Sequence, residues 1–157
     1  MSDIEELKKI ADILSEHAQS LLKQDRVLYP VLFSFPTLKN RPVPVSVKLK
    51  TVADKEMLSV LMTVVARVSQ GMVFITDAYA RTPGPDEDPN TVLGEVKDHP
   101  DAIESIIVVA YVKGATSLKQ IIYVSEKGEY SFTDMGWHDA AEMSGRFGSP
   151  YPSHPSR

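Results

Sequence analysis

The chain has no cysteine among its 157 residues, and this absence removes several function classes at once. Disulfide frameworks, thiolate nucleophiles and cysteine-ligated zinc or iron–sulfur centres all need that residue. An excess of basic charge is also missing, because 17 Lys and Arg stand against 21 Asp and Glu, for a net charge of −4. Nucleic-acid-binding domains cluster Lys and Arg on one face, so the composition argues against a nucleic-acid partner.

Long apolar runs are absent too, since no stretch approaches the roughly 20 residues that span a bilayer. The acidic start, Ser2-Asp3-Ile4-Glu5, lacks the basic and apolar segments of a signal peptide. We therefore expect a cytoplasmic protein that does not enter membranes. Apolar residues make up 43% of the chain, which is typical of a globular domain. The prediction is one domain over residues 1–143, followed by an irregular, disordered tail over residues 144–157 that is rich in Ser, Pro and Gly.

Two helices are predicted from apolar spacing. The first begins at the Ser2 cap, and its apolar residues recur at steps of three and four, so its stripe needs cover from the sheet or from a second subunit. The second covers residues 54–70, has an unusually broad apolar face, and is expected to lie buried centrally against the sheet. Gly71 suits its C-terminal end.

Strands are predicted at residues 27–35, 43–50, 72–80, 102–112 and 118–124, and a short last helix at residues 134–145. Pro30 lacks an amide donor, so it suggests an edge or a bulge. Lys113-Gly114 and Lys127-Gly128 are interpreted as hairpin turns. The predicted fold is an α+β single domain with a largely antiparallel sheet of about five strands and two main helices, in the order α-β-β-α-β-β-β. That order resembles the profilin-like and roadblock-like architectures.

The candidate site begins where the strand ending in Asp77-Ala78-Tyr79 gives way to an acidic loop between prolines. Asp86, Glu87 and Asp88 are consecutive there, and Glu95 follows. Carboxylates can ligate a hard cation, but neighbouring side chains of an extended segment point to opposite sides, so a solvated loop is the favoured interpretation. We predict no metal and no cofactor.

Histidine and tryptophan supply the remaining candidates. A general base or metal site would need His99 and His138 to converge with Asp77, Asp101 or Glu104, and the spacing does not force this. The single tryptophan, Trp137, is either an anchor on a binding surface or a residue that packs the last segment onto the core. Nucleophile-elbow and phosphate-loop motifs are missing, so no catalytic residue is assigned.

Several short segments follow one another in a recognisable order: Lys23-Gln24-Asp25, Tyr29-Pro30-Val31-Leu32-Phe33, Val73-Phe74-Ile75-Thr76-Asp77-Ala78-Tyr79, Glu87-Asp88-Pro89 and Glu95. This order resembles a group of small bacterial, archaeal and phage α+β proteins in which a strand ending in Ser/Thr, acid, Ala and aromatic precedes a Glu-Asp-Pro loop. The chain departs from the group by carrying Asp86 where serine is common and by lacking arginine at residues 90–92. The resemblance supports the outline of the fold and implies no activity.

Two hypotheses from different classes follow. The first is a non-enzymatic interaction or regulatory module, expected as a homodimer or bound to another protein. The helix-one stripe or a sheet edge would form its interface, and the region from Asp77 to Glu95, with Tyr79 and Trp137, would contact a partner. The alternative is a small metal-dependent hydrolase with Asp77, Asp86, Asp88 and Glu95 as ligands and His99 as base. That alternative requires all of these groups to meet in one pocket.

Overall fold

An antiparallel sheet of six strands carries one helix on each face in the computed structural model, which describes residues 2–80, 103–140 and 149–151, with backbone alone at residues 79 and 80. The elements are α1 (Asp3–Asp25), β1 (Val31–Phe35), β2 (Val43–Ser46), α2 (Val52–Ala66), β3 (Gly71–Ala80), β4 (Ile103–Val112), β5 (Ala115–Glu126) and β6 (Glu129–Asp139). This arrangement confirms the predicted α+β single domain, with one strand more than expected.

Helix α1 has clear signals at both ends. The Ser2 hydroxyl accepts a hydrogen bond from the Glu5 amide at 3.4 Å, which satisfies one of the free donors at a helix start. The helix ends at Arg26, which adopts a left-handed conformation at φ 63° and donates its amide to the Leu22 carbonyl at 2.9 Å. The sheet of the same chain covers the apolar stripe between these caps.

The sheet order is β2-β1-β3-β4-β5-β6, and every neighbouring pair is antiparallel. Glycines close the last two hairpins, because Gly114 (φ 84°) and Gly128 (φ 82°) occupy a backbone region that other residues rarely enter. Strands β3 and β4 pair along their whole length, from Gly71 opposite Val112 to Ala80 opposite Ile103. These two strands form the centre of the domain.

Alternation along the central strands divides the apolar side chains into two cores. The core under α1 includes Leu7, Ala11, Leu22, Val73, Ile75, Ile106 and Val108. The core under α2 includes Leu58, Met62, Met72, Phe74, Ile107, Val109 and Tyr111. Because the strands are covered on both sides, their sequences are almost continuously apolar.

Glycine at residue 71 permits the closest approach of α1 to the sheet. A Cβ added there would lie 3.0 Å from the Leu38 Cδ2 atom and 3.1 Å from the Leu7 Cδ2 atom. Those distances are shorter than an ordinary van der Waals contact, so a larger residue would push the start of α1 outward.

Three local predictions were wrong. Residues 134–139 belong to strand β6 rather than to a short helix. Pro30 does not mark an edge strand, because it precedes β1, which lies between β2 and β3. Helix α2 is not buried centrally: only Leu58, Met62 and Ala66 are buried along its length.

Strand β6 is an edge of the sheet and contains a bulge. Lys119 of β5 lies opposite Trp137, whereas Ile121 lies opposite Asp134, so β6 has one extra residue between these pairs. Gly136 takes a positive φ of 80° within the bulge, and its amide donates to the Asp134 carboxylate at 2.7 Å. Bulges of this kind break the regular ladder and bend the strand.

Candidate functional site

Most of the predicted site lies outside the described residues. Asp86, Glu87, Asp88, Glu95 and His99 all fall between residues 81 and 102, as does the rest of the acidic loop. Tyr79 is described by its backbone alone, opposite Glu104. The side chains of Asp77 and Trp137 are the two predicted site groups that the structure describes.

Asp77 shares one face of the sheet with Glu104. Asp77 of β3 lies opposite Ile106 of β4, and Glu104 is two residues before Ile106, so the two carboxylates are diagonal neighbours on the α1 side. Burial raises the pKa of Asp77, an interaction with its own backbone opposes that rise, and the charge of Glu104 adds to it. A carboxyl group of this kind keeps its proton to higher pH than an exposed aspartate.

Trp137 is half-buried and is attached to the first helix. Its indole Nε1 donates a hydrogen bond to the Asp12 carboxylate at 2.9 Å. The indole also packs against the core under α1. In this position Trp137 fastens the edge strand β6 to α1, which is the packing role that the sequence offered as an alternative to a surface anchor.

Lys119 lies at the centre of a cluster of charged groups under α1. Its ammonium group contacts the Asp12 carboxylate at 2.8 Å and the Asp134 carboxylate at 2.6 Å, and it lies 5.7 Å from the centre of the Trp137 ring. Lys119 is only 6% exposed, although lysine is rarely buried without a charged partner. We call Lys119, Asp12, Asp134 and Trp137 the lysine cluster.

The protonation states of the lysine cluster follow from its geometry. Burial lowers the pKa of Lys119, but the hydrogen bonds that it donates to Asp12 and Asp134 outweigh this effect, and the net result is a raised pKa. Burial acts to raise the pKa of Asp134, yet the hydrogen bonds that it accepts from Lys119 and from the Gly136 amide leave it lowered. Both shifts favour the charged forms of Lys119 and Asp134.

The charged groups of the lysine cluster are all paired with one another or with hydrogen-bond donors. Its cation is enclosed by two carboxylates and an aromatic ring, and the Asp12 and Asp134 oxygens in turn accept the indole and the Gly136 amide. The cluster joins α1 to the β5–β6 hairpin, which is distant from it in sequence.

The histidines do not extend either group of charges. His138 lies on the edge strand, with its Nε2 atom 3.2 Å from the Met135 carbonyl, and His17 is exposed on α1. Within residues 2–80, 103–140 and 149–151, no three His, Asp or Glu side chains come close enough together to hold a metal ion. The proposed meeting of His99 with Asp77 lies outside these ranges.

The surface that the sequence did not identify is the outer side of α2. Three apolar residues of α2 are largely exposed there, at 64% for Met57, 56% for Val60 and 54% for Val64, and Val68, two residues beyond the last residue of α2, is 72% exposed. Their spacing of three, four and four residues places them on one stripe. We call these four residues the α2 stripe.

A signal for the α2 stripe is present in the sequence. Apolar residues lie on almost every side of α2, from Met57 and Leu58 to Val64 and Val65, whereas a sheet can cover one side of a helix. The surplus must therefore face water or another molecule. The broad apolar face of α2 predicted burial against the sheet, and for that reason no exposed stripe was predicted.

In the described part of the chain, neither helix is both long enough and apolar enough to cross a bilayer. Comparisons with protein-family models, with curated proteins and with solved structures find no match to this chain.

Proposed function

We propose that this chain is a non-enzymatic protein-interaction module that binds through the α2 stripe, in a cytoplasmic setting. The observation that supports the proposal is the row of four exposed apolar residues along α2 and just beyond its end, while the other side of that helix is already packed on the sheet. Single exposed apolar residues are normal on a protein surface, whereas a contiguous row is typical of a contact site.

The energy available from the stripe is suitable for binding. Complete burial of a valine or methionine side chain is worth about 1.5–3 kcal/mol, and these four residues are at present half to three-quarters exposed. Their burial against a partner would contribute several kcal/mol, which must offset the loss of free rotation and translation on association. A small central patch of this kind commonly provides most of the affinity of an interface.

The first test changes the stripe without changing the core. We would replace Val60 and Val64 together by lysine, which has a higher helix propensity than valine. The matched control replaces Ser59 and Thr63 by lysine, because these residues have the same spacing and lie on α2 outside the stripe. Both variants add two charges to the same helix, so a difference between them reports the apolar surface.

The measurement is the melting temperature of each variant over a wide range of protein concentration. If the stripe serves a partner, V60K/V64K keeps the wild-type melting temperature when the protein is dilute, since the replaced side chains contribute little to the monomer. A melting temperature that falls at every concentration, while that of S59K/T63K does not, would show that the chain covers the stripe with its own residues. That result would end the proposal.

A further inference from the structure

We infer that the partner of the α2 stripe is the α2 stripe of a second copy of this chain, packed antiparallel across a two-fold axis between Val60 and Val64. The inference rests on the proposed function and names the partner. Val60 and Val64 are the two central residues of the stripe, Met57 precedes them, and Val68 follows two residues beyond the end of α2 at Ala66. A two-fold axis at the centre would place each half of the stripe on the opposite half of its copy.

Charge at the ends of the stripe selects this arrangement. Glu56 and Arg67 are eleven residues apart, which is close to three full turns, so they lie on the same side of the helix and about 16 Å apart along it. Both are exposed, and they flank Val60 and Val64, one at each end. Neither has an ion-pair partner among the described side chains.

An antiparallel pair would bring these charges together twice. Glu56 of one copy would lie beside Arg67 of the other, and symmetry would repeat the contact at the far end. A parallel pair would instead put both Glu56 side chains at one end of the interface and both Arg67 side chains at the other, so that no opposite charges meet. Opposite charges at the rim of an interface favour the register that joins them and disfavour the others.

The other helix cannot serve in the same way. The stripe of α1 is already buried, with Leu7, Ala11 and Leu22 packed against the sheet. Its outer side presents Glu6, Lys9 and Glu16, which water solvates well. Of the two helix faces turned away from the sheet, that of α2 is the apolar one.

Sedimentation velocity over a range of concentrations tests the inference. We expect wild type to form dimers, and V60K/V64K to associate at least a hundredfold more weakly, because two lysines on each copy would be buried against each other. The variants E56R and R67E should each weaken the dimer about tenfold, since each turns two attractions into two repulsions. The double variant E56R/R67E should recover the wild-type affinity, and so should an equimolar mixture of the two single variants.

Each contrary outcome identifies what has failed. If wild type stays monomeric at high concentration while V60K/V64K melts like wild type, the second copy is wrong and the stripe remains open to a different protein. If wild type is monomeric and V60K/V64K melts lower at every concentration, the chain covers its own stripe, and both the inference and the proposed function are overturned. A dimer that survives V60K/V64K would place the interface elsewhere. Single charge variants that leave the dimer unchanged would exclude the antiparallel register.

Discussion

The two helices lie on opposite faces of one sheet and differ in how much of their apolar surface is buried. Helix α1 mixes charged and apolar residues, and it buries nearly all of its apolar stripe. Helix α2 is the more apolar of the two, yet it buries three residues and leaves Met57, Val60 and Val64 in water. The apolar content of a helix therefore does not set its burial, which is limited by the area that the sheet can cover.

The contrast is informative because both faces of the sheet carry a buried apolar core. The core under α1 and the core under α2 draw on alternate residues of the same central strands. A difference between the helices must then lie in what each presents to the outside. The outer side of α1 carries charged residues that water solvates, whereas the outer side of α2 is apolar.

The largest loss of stability is expected from a cavity in the core under α1. Replacement of the fully buried Leu7 by alanine is expected to lower the free energy of unfolding by about 3 kcal/mol, from lost burial and the cavity that remains. The control is Ile13→Ala on the same helix, where the side chain is 68% exposed and the loss should stay within about 0.5 kcal/mol. Urea denaturation measures both, and equal losses would contradict the assigned orientation of α1.

A smaller loss is expected from the lysine cluster, which has no counterpart among the charged groups described on the α2 side. Lys119→Met would leave the Asp12 and Asp134 carboxylates facing each other without their cation. Because both carboxylates are about half exposed, we expect a loss of about 2 kcal/mol rather than the larger cost of stranding a fully buried charge. The same substitution at the exposed Lys113 should be neutral in the same urea experiment.

On the α2 side, Tyr151 makes a stabilising buried contact. Its hydroxyl donates to the Ser69 carbonyl at 3.2 Å, so Tyr151→Phe should cost about 1 kcal/mol at neutral pH. Burial raises the pKa of Tyr151 from 10.0 to about 12. The stability that this shift provides is complete below pH 10 and is lost as the pH rises towards 12.

Urea denaturation of wild type and Y151F between pH 9 and pH 12 isolates the tyrosine. Lys119 also loses its proton in strongly alkaline solution, but it is present in both proteins and therefore does not affect the difference. The difference in free energy of unfolding between wild type and Y151F should become smaller as the pH rises. A constant gap would mean that the Tyr151 hydroxyl is accessible to hydroxide in the folded protein.

The smallest effect concerns Asp77 at the end of β3. A raised pKa means that the folded state holds a proton more tightly than the unfolded state does. Deprotonation of Asp77 therefore lowers the free energy of unfolding as the pH rises from 3.8, the ordinary pKa of aspartate, through the raised pKa of the folded state. Asp77→Asn should remove this dependence of stability on pH. At neutral pH it should stabilise the protein by under about 1 kcal/mol, since the side chain is partly exposed.

Acid titration of stability, followed by circular dichroism, would show the difference. If the dependence of stability on pH persists in Asp77→Asn, another carboxyl group is responsible for it. Binding of Mg²⁺ or Ca²⁺ by wild type and not by Asp77→Asn, measured by calorimetry, would instead favour the hydrolase hypothesis.

Local signals were sufficient for much of the fold. A cap followed by apolar residues at steps of three and four predicted α1, and glycine after lysine predicted the last two turns. Strand β6 was missed although its turn at Lys127-Gly128 had been recognised. The alternation of Tyr130 and Phe132 stops at the bulge around Gly136, so the second half of the strand carries no period-two pattern.

The charged groups could not be predicted in the same way. Lys119 and Asp12 meet across 107 residues, and no local pattern specifies so distant a pair. A lone lysine in a strand predicts an exposed side chain, whereas tertiary packing encloses this one. Asp77 was correctly placed on a strand, but its neighbour Glu104 is a consequence of the register between β3 and β4. The acidic residues 86–88 stay a prediction.

The bulge in β6 has a consequence for how the chain can aggregate. A regular edge strand offers its amides and carbonyls in a row, on which another chain can extend the sheet without limit. Here Gly136 turns its amide back to Asp134 and shifts the register, so that row is interrupted halfway along the edge. Fibre growth through this edge would need the bulge to be unmade first.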